Sequence, residues 1–190
     1  PIGKGHINDT FLASYSDGTS TKRFVHQRIN HQVFQDVPAL MQNIAAVTRH
    51  LRRRYTADGI QDIDRRALQL VCTLDGKDYL RDESGNWWRT YRYVEDTRTI
   101  DVVESPEQAE EVARGFGQFQ SLLSDIPHRP NEIIPGFHDT RSRFLNLMQA
   151  VDIDSLDKAA EAGKEIAFAS EHEAMVGVVV DLLDSGELPE

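Results

Sequence analysis

Residues 10–15 and 22–29 are rich in β-branched, aromatic and apolar residues, the second run alternating with a period of two, and Asp17-Gly18-Thr19 lies between them. Period two marks a strand, and Asp-Gly between two such runs marks a hairpin turn. The second run sets Phe24, His26 and Arg28 against Val25, Gln27 and Ile29. Periodicity alone does not say which set faces inward. Over residues 37–55 the period lengthens: Leu40, Ile44, Val47 and Leu51 share a helical face, Asp36 stands as N-cap and Pro38 suits the first turn. Residues 63–101 return to strand character, with runs at 67–74, 78–81 and 87–94 separated by Asp75-Gly76 and by the turn at 83–86. The expectation is an α+β region, residues 1–100, built as a five-stranded antiparallel sheet plus one helix.

Helical patterning takes over in residues 101–190. Ser105-Pro106-Glu107-Gln108 is a cap, a first-turn proline and a capping-box glutamine, followed by Val112, Phe116, Phe119 and Leu123 on what should be the inner side. A proline-broken loop covers residues 126–135. A second helix starts near Asp139 or Thr140 with Phe144, Leu147, Met148 and Val151 inward, and a third helical region spans residues 155–184 with Ile166, Phe168, Met175, Val179 and Leu182. Those last helices are expected to expose apolar faces if they stand alone.

Composition narrows the class of partner. The 190 residues are 39% hydrophobic, enough for a core, with a formal charge of −10 and a pI near 5.1. That balance argues against nucleic acid or an anionic membrane as a general partner. No apolar run approaches the ~20 residues of a membrane helix, and no signal peptide is expected. The single cysteine, Cys72, sits in an apolar run and reads as a buried, inert thiol, which fits a cytoplasmic location. The seven histidines are not expected to form a metal site. The basic cluster Arg49, His50, Arg52, Arg53 and Arg54 reads as a solvated helix end complementing the helix dipole.

Candidate chemistry concentrates at the start of the chain. Gly3 and Gly5 bracket Lys4, so the backbone there can take positive φ and lie close to a phosphate without a Cβ in the way. No Gly-Lys-Ser/Thr follows and no third glycine opens a helix, which excludes a P-loop and a Rossmann fingerprint. A glycine turn inside a β-meander is how protein-kinase-like folds cover nucleotide phosphates.

Four runs carry a resemblance: Gly5-His6-Ile7-Asn8-Asp9-Thr10-Phe11; Gln27-Arg28-Ile29-Asn30-His31 with Val33-Phe34; Leu40-Met41-Gln42-Asn43-Ile44; and Phe137-His138-Asp139-Thr140. Together they resemble the N-acetylhexosamine 1-kinase group of the aminoglycoside phosphotransferase superfamily. The resemblance implies a protein-kinase-like N-lobe followed by the first helices of a helical C-lobe, with ATP and Mg²⁺ as cofactors and a sugar as substrate. It places Gly3, Gly5, His6, Ile7, Asn8, Asp9 and Thr10 over the nucleotide, with Val25 against the adenine. Gln27 falls where such folds usually carry a phosphate-binding lysine, Gln42 where they carry its glutamate partner, and Tyr93 and Val94 at the adenine edge. An amide pair orients by hydrogen bonds but brings no positive charge. Arg28 is the rival to Gln27, since a one-residue register shift would turn it inward, but it would put bulky His26 under the adenine.

The resemblance also assigns His31 and Val33, and His138 and Asp139, to the sugar, although the residues themselves favour Asp139 or Thr140 as a helix cap with Phe137 as its hydrophobic staple. Glu95 and Asp96 read as solvated acids beside a hinge. The catalytic-loop aspartate, its downstream asparagine and the Mg²⁺-binding aspartate of phosphoryl transfer would follow Pro189, so the 190 residues are expected to be a piece of a longer enzyme, inactive alone and in contact with the rest of that protein. The leading expectation is ATP-dependent phosphorylation of the anomeric hydroxyl of an N-acetylhexosamine. Alternatives are an aminoglycoside or other small-molecule kinase of the same superfamily and a nucleotide- or small-molecule-binding protein without catalysis. A sulfatase is set aside because Cys72-Thr73-Leu74-Asp75-Gly76 is nothing like a formylglycine site.

Overall fold

The computed structural model describes residues 1–2 and 5–188. They fall into two units, Pro1–Ile133 and Ile134–Glu190. In the first unit, strand β1 (Asp9–Ser16) and strand β2 (Thr21–Ile29) pair antiparallel from Asp9↔Arg28 to Ser16↔Thr21. The turn between them closes on the Asp17 carboxylate, whose Oδ1 accepts the backbone N–H of Thr19 at 3.0 Å and of Ser20 at 2.8 Å. Gly18 follows at φ +89°, a conformation that a Cβ would strain.

Strand β3 (Leu80–Arg81) and strand β4 (Trp87–Arg92) complete a sheet of order β1-β2-β4-β3, antiparallel throughout. This corrects the expected five-stranded sheet with one helix: among the described residues there are four strands and six helices. The outer edge of β4 is divided. Leu80 and Arg81 take Trp88 and Trp87, while the segment expected as a strand at 67–74 reaches the same edge only at the Leu70↔Tyr91 bridge, with Val71 N–H donating to the Thr90 carbonyl at 2.9 Å. Two short segments sharing one edge leave neither long enough for a full strand. Just before that bridge, Ile63–Arg66 form a single helical turn, α2, where strand character was expected.

Helix α1 (Val37–Ala57) opens at Asp36, whose Oδ1 accepts the Ala39 N–H at 2.9 Å, with Pro38 in its first turn. Its row Val37, Met41, Ala45 and Thr48 is buried, one position round from most of the expected row, of which Leu51 is buried while Leu40 and Ile44 pack at the flank. Met41 and Val37 meet Ile29 of β2, each only 1% exposed, with Trp87 of β4 beside them. Alternation along β2 puts Val25 and Gln27 on the Ile29 face, which α1 covers at one end, and His26 and Arg28 on the other.

Helix α3 (Pro106–Leu123) begins at Ser105, whose Oγ accepts the Gln108 N–H, while Gln108 Oε1 reaches past the cap to accept the Glu104 N–H rather than that of Ser105. Of its expected inner row, Val112, Phe116 and Phe119 are exposed, Phe116 being 68% accessible, and Leu123 is half-buried. In the second unit, helix α4 (Thr140–Ile153) buries Phe144 but leaves Leu147 exposed; helix α5 (Gly163–Glu171), a 3₁₀ turn (Glu173–Met175) and helix α6 (Val178–Asp184) follow, and Arg141 of α4 pairs with Asp181 of α6 at 2.6 Å. Phe168, Met175 and Val179 are exposed. No helix among the described residues is long and apolar enough to cross a membrane.

Candidate functional site

On the Ile29 face of the sheet, the strand register lines up Thr10, Gln27 and Arg89 as one row and Leu12, Val25 and Tyr91 as the next. Gln27 is the centre of the first row: its amide nitrogen donates to Thr10 Oγ1 at 3.1 Å, and its Oε1 accepts from Arg89 Nε at 2.9 Å. The Arg89 guanidinium lies 5.4 Å from the centroid of the buried Tyr91 ring. Burial holds Arg89 below the ordinary arginine value, offset only by the nearby Tyr91 phenol; burial in turn raises Tyr91. An arginine stays protonated under such a shift. The row therefore presents a half-buried cation whose neighbours are an amide and a phenol ring, with no carboxylate partner among the described residues.

Sequence reasoning missed Arg89. The alternation of 87–92 identifies a strand, but only the β2–β4 register sets Arg89 opposite Gln27. Arg28, the rival to Gln27, points to the opposite face and pairs with Asp9 at 2.5 Å. Gln42 does not meet Gln27. It lies on the exposed flank of α1, where its Oε1 accepts from Asn131 Nδ2 at 3.3 Å.

The remaining expected residues divide into groups. Ile7, Asp9 and His31 come together with Arg28, Asn30 and Gln32 around a polar cavity of about 210 Å³ at the end of the hairpin. Asn8 Oδ1 accepts the Asn30 N–H at 3.0 Å and ties the two segments. His6 is exposed, as is Val33, whose N–H donates to the Asn30 carbonyl. A Cβ built on Gly5 meets nothing within 4 Å. Gly3 and Lys4 lie outside the described residues. Tyr93 donates its N–H to the Arg23 carbonyl at 3.0 Å, with the Arg23 guanidinium over its ring, and Val94 follows in the loop beyond β4.

In the second unit, Asp139 caps α4: its carboxylate accepts from Ser142 N–H at 3.0 Å and from Ser142 Oγ at 2.6 Å, bonds that hold it below the usual carboxylate range. His138 packs edge-on against Phe137, 4.7 Å between centroids.

Several other acids and bases have structural partners. Glu95 pairs with Arg23. The basic end of α1 is paired rather than simply solvated: Arg49 with Asp78, Arg52 with Asp64, and Arg54 with Asp125. Cys72 is exposed, not buried, and donates to Asp78 Oδ1 at 3.6 Å; partial desolvation and the Asp78 charge raise its thiol pKa, which leaves it a poor nucleophile. No group of three or more His, Cys, Asp or Glu side chains suited to a metal occurs among the described residues. No protein-family model matches the chain.

Proposed function

We propose that this chain carries the nucleotide-holding part of an ATP-dependent phosphotransferase acting on a sugar hydroxyl, with the anomeric hydroxyl of an N-acetylhexosamine as acceptor. One observation carries the reading. The Arg89 guanidinium, oriented by Gln27 and without a carboxylate partner among the described residues, supplies the positive charge that the two glutamines lack. A half-buried cation without a counter-ion favours an anionic ligand, and a guanidinium suits phosphate because its fork of N–H donors matches two oxygens at once. Val25, half-buried one row along the same face, offers an apolar surface for a base. The four sequence runs of the resemblance supply the sugar and the reaction class.

ATP fits these residues: Arg89 and Gln27 would hold its phosphates. Mg²⁺ finds no group of three or more suitable side chains among the described residues, and no step of this reading runs through it.

Calorimetric titration of the chain with ATP, adenosine and N-acetylglucosamine tests the proposal. ATP should bind and adenosine should not, and Arg89→Gln should weaken ATP by roughly 10- to 100-fold, the loss of a charge-assisted hydrogen bond of about 1.5–3 kcal/mol. Equal affinity for ATP in the Arg89→Gln chain overturns the assignment of Arg89. Absence of ATP binding overturns the phosphotransferase reading.

A further inference from the structure

A cavity of about 730 Å³ opens on the sheet face opposite Gln27. Phe11, Tyr15, Phe24, Tyr79, Leu80 and Trp88 wall it. Its volume falls in the range of about 300–1,000 Å³ typical of small-molecule sites, and its walls are aromatic, as such sites usually are. Apolar walls favour binding in general; the charges beside them decide which ligand fits.

Two carboxylates line this cavity, and they differ. Both oxygens of Asp78 accept from Arg49 Nη2, at 2.8 and 2.7 Å, so its charge is neutralised. Asp82 accepts from Trp88 Nε1 at 2.8 Å, from the Asn86 N–H at 2.8 Å and from Asn86 Nδ2 at 3.1 Å, all neutral donors. The Trp88 bond above all keeps Asp82 ionised, below the usual carboxylate range, and no ion pair of Asp82 occurs among the described residues. His26 is spent on neutral partners, Tyr15 OH at 3.2 Å and Thr90 Oγ1 at 2.9 Å. Arg89 borders the cavity along β4, but its guanidinium is held by Gln27 on the other face.

The cavity therefore joins aromatic faces to one uncompensated negative charge. Phe11 and Trp88 are tilted 41° to each other with centroids 6.0 Å apart, and Trp88 is tied to the carboxylate itself. Aromatic rings attract cations through their quadrupoles, and a fixed carboxylate adds direct attraction. The net charge of −10 acts in the same sense. We propose that this groove binds a small organic cation, an alkyl- or arylammonium, with its charge against Asp82 and its apolar part on Phe11 and Trp88.

The test uses Trp88 as reporter in a Trp87→Phe chain, since the protein has two tryptophans and Trp87 packs on the core side of the sheet. Benzyltrimethylammonium is titrated beside benzyl alcohol and phenylmethanesulfonate, which carry the same ring without charge or with the opposite one. The cation should quench Trp88 saturably and bind at least about tenfold tighter than either comparator. Asp82→Asn should bring it to the level of benzyl alcohol. Because Asp82 also organises its turn, Phe11→Ala at a half-exposed wall position and a sodium chloride series provide independent arms. Phe11→Ala should weaken the cation, and added salt should weaken the cation but not benzyl alcohol. Equal affinity for cation and alcohol, unchanged affinity in a folded Asp82→Asn chain, or a self-associated form in sedimentation that excludes the probe would each overturn the proposal.

Discussion

Helices α1 and α3 look alike in sequence and differ in what they bury. Each opens at a side-chain cap, Asp36 or Ser105, each has a proline in its first turn, and each shows an apolar stripe. Helix α1 buries Val37, Met41, Ala45, Thr48, His50 and Leu51, whereas α3 has no buried residue, and every residue from 111 to 120 is exposed. The two meet only near their ends, where His50 Nε2 donates to the Leu122 carbonyl at 2.9 Å and Asp125 bridges His50 and Arg54. An amphipathic stripe states a capacity for burial; the surface opposite it decides whether that capacity is used. Helix α1 has the Ile29–Trp87 end of the sheet before it.

The sharpest way to break this contrast is truncation on the two stripes. Met41→Ala should cost about 2–5 kcal/mol in urea unfolding, because a fully buried side chain is lost and a cavity is left. Phe116→Ala, at a largely exposed ring, should cost under about 0.5 kcal/mol. Comparable losses from both would show that the α3 stripe is covered in solution.

A smaller effect is expected where the helices touch. His50→Ala removes a buried donor and leaves the Leu122 carbonyl unpaired, a loss of about 1–3 kcal/mol. Hydrogen exchange should show it as faster exchange at the C-terminal turn of α3, with the amides around Met41 unchanged. Equal acceleration in both helices would mean that His50 supports α1 itself rather than the junction.

The smallest effect concerns pH. Burial raises the Asp125 pKa, but the Arg54 charge and hydrogen bond together with His50 outweigh it, and the group sits below its ordinary carboxylate value. A depressed folded pKa contributes stability that is present above the unfolded value, near 3.9, and is lost as pH falls through the folded one. Carboxyl chemical shifts should place the Asp125 titration below that of a free aspartate, and Arg54→Gln should move it up. A titration unmoved by Arg54→Gln would remove the ion pair from the junction.

Much of the local structure was legible along the chain. The hairpin follows from the Asp17 side chain gathering the Thr19 and Ser20 amides and from Gly18 at positive φ. The helix starts at Asp36, Ser105 and Asp139 follow from oxygens that accept N–H groups three residues ahead. These signals act within about four residues, so the sequence contains both partners of each bond.

Burial and pairing were not legible, for a matching reason. The α1 row on the core, the two-residue length of β3, the single bridge at Leu70 and the exposed stripe of α3 each depend on a partner far away in sequence. The candidate site obeys the same rule. Val25 and Gln27 could be named from β2 alone, but Arg89 lies 62 positions away and reaches Gln27 only through the β2–β4 register. The aromatic groove likewise gathers strand residues from alternate positions with the loop that carries Asp78 and Asp82. The sequence by itself determined where the chain turns and where its helices begin, because those hydrogen bonds are local. Tertiary structure alone decided which faces are buried and which charges stand without a partner, because desolvation and charge compensation belong to the surfaces that meet.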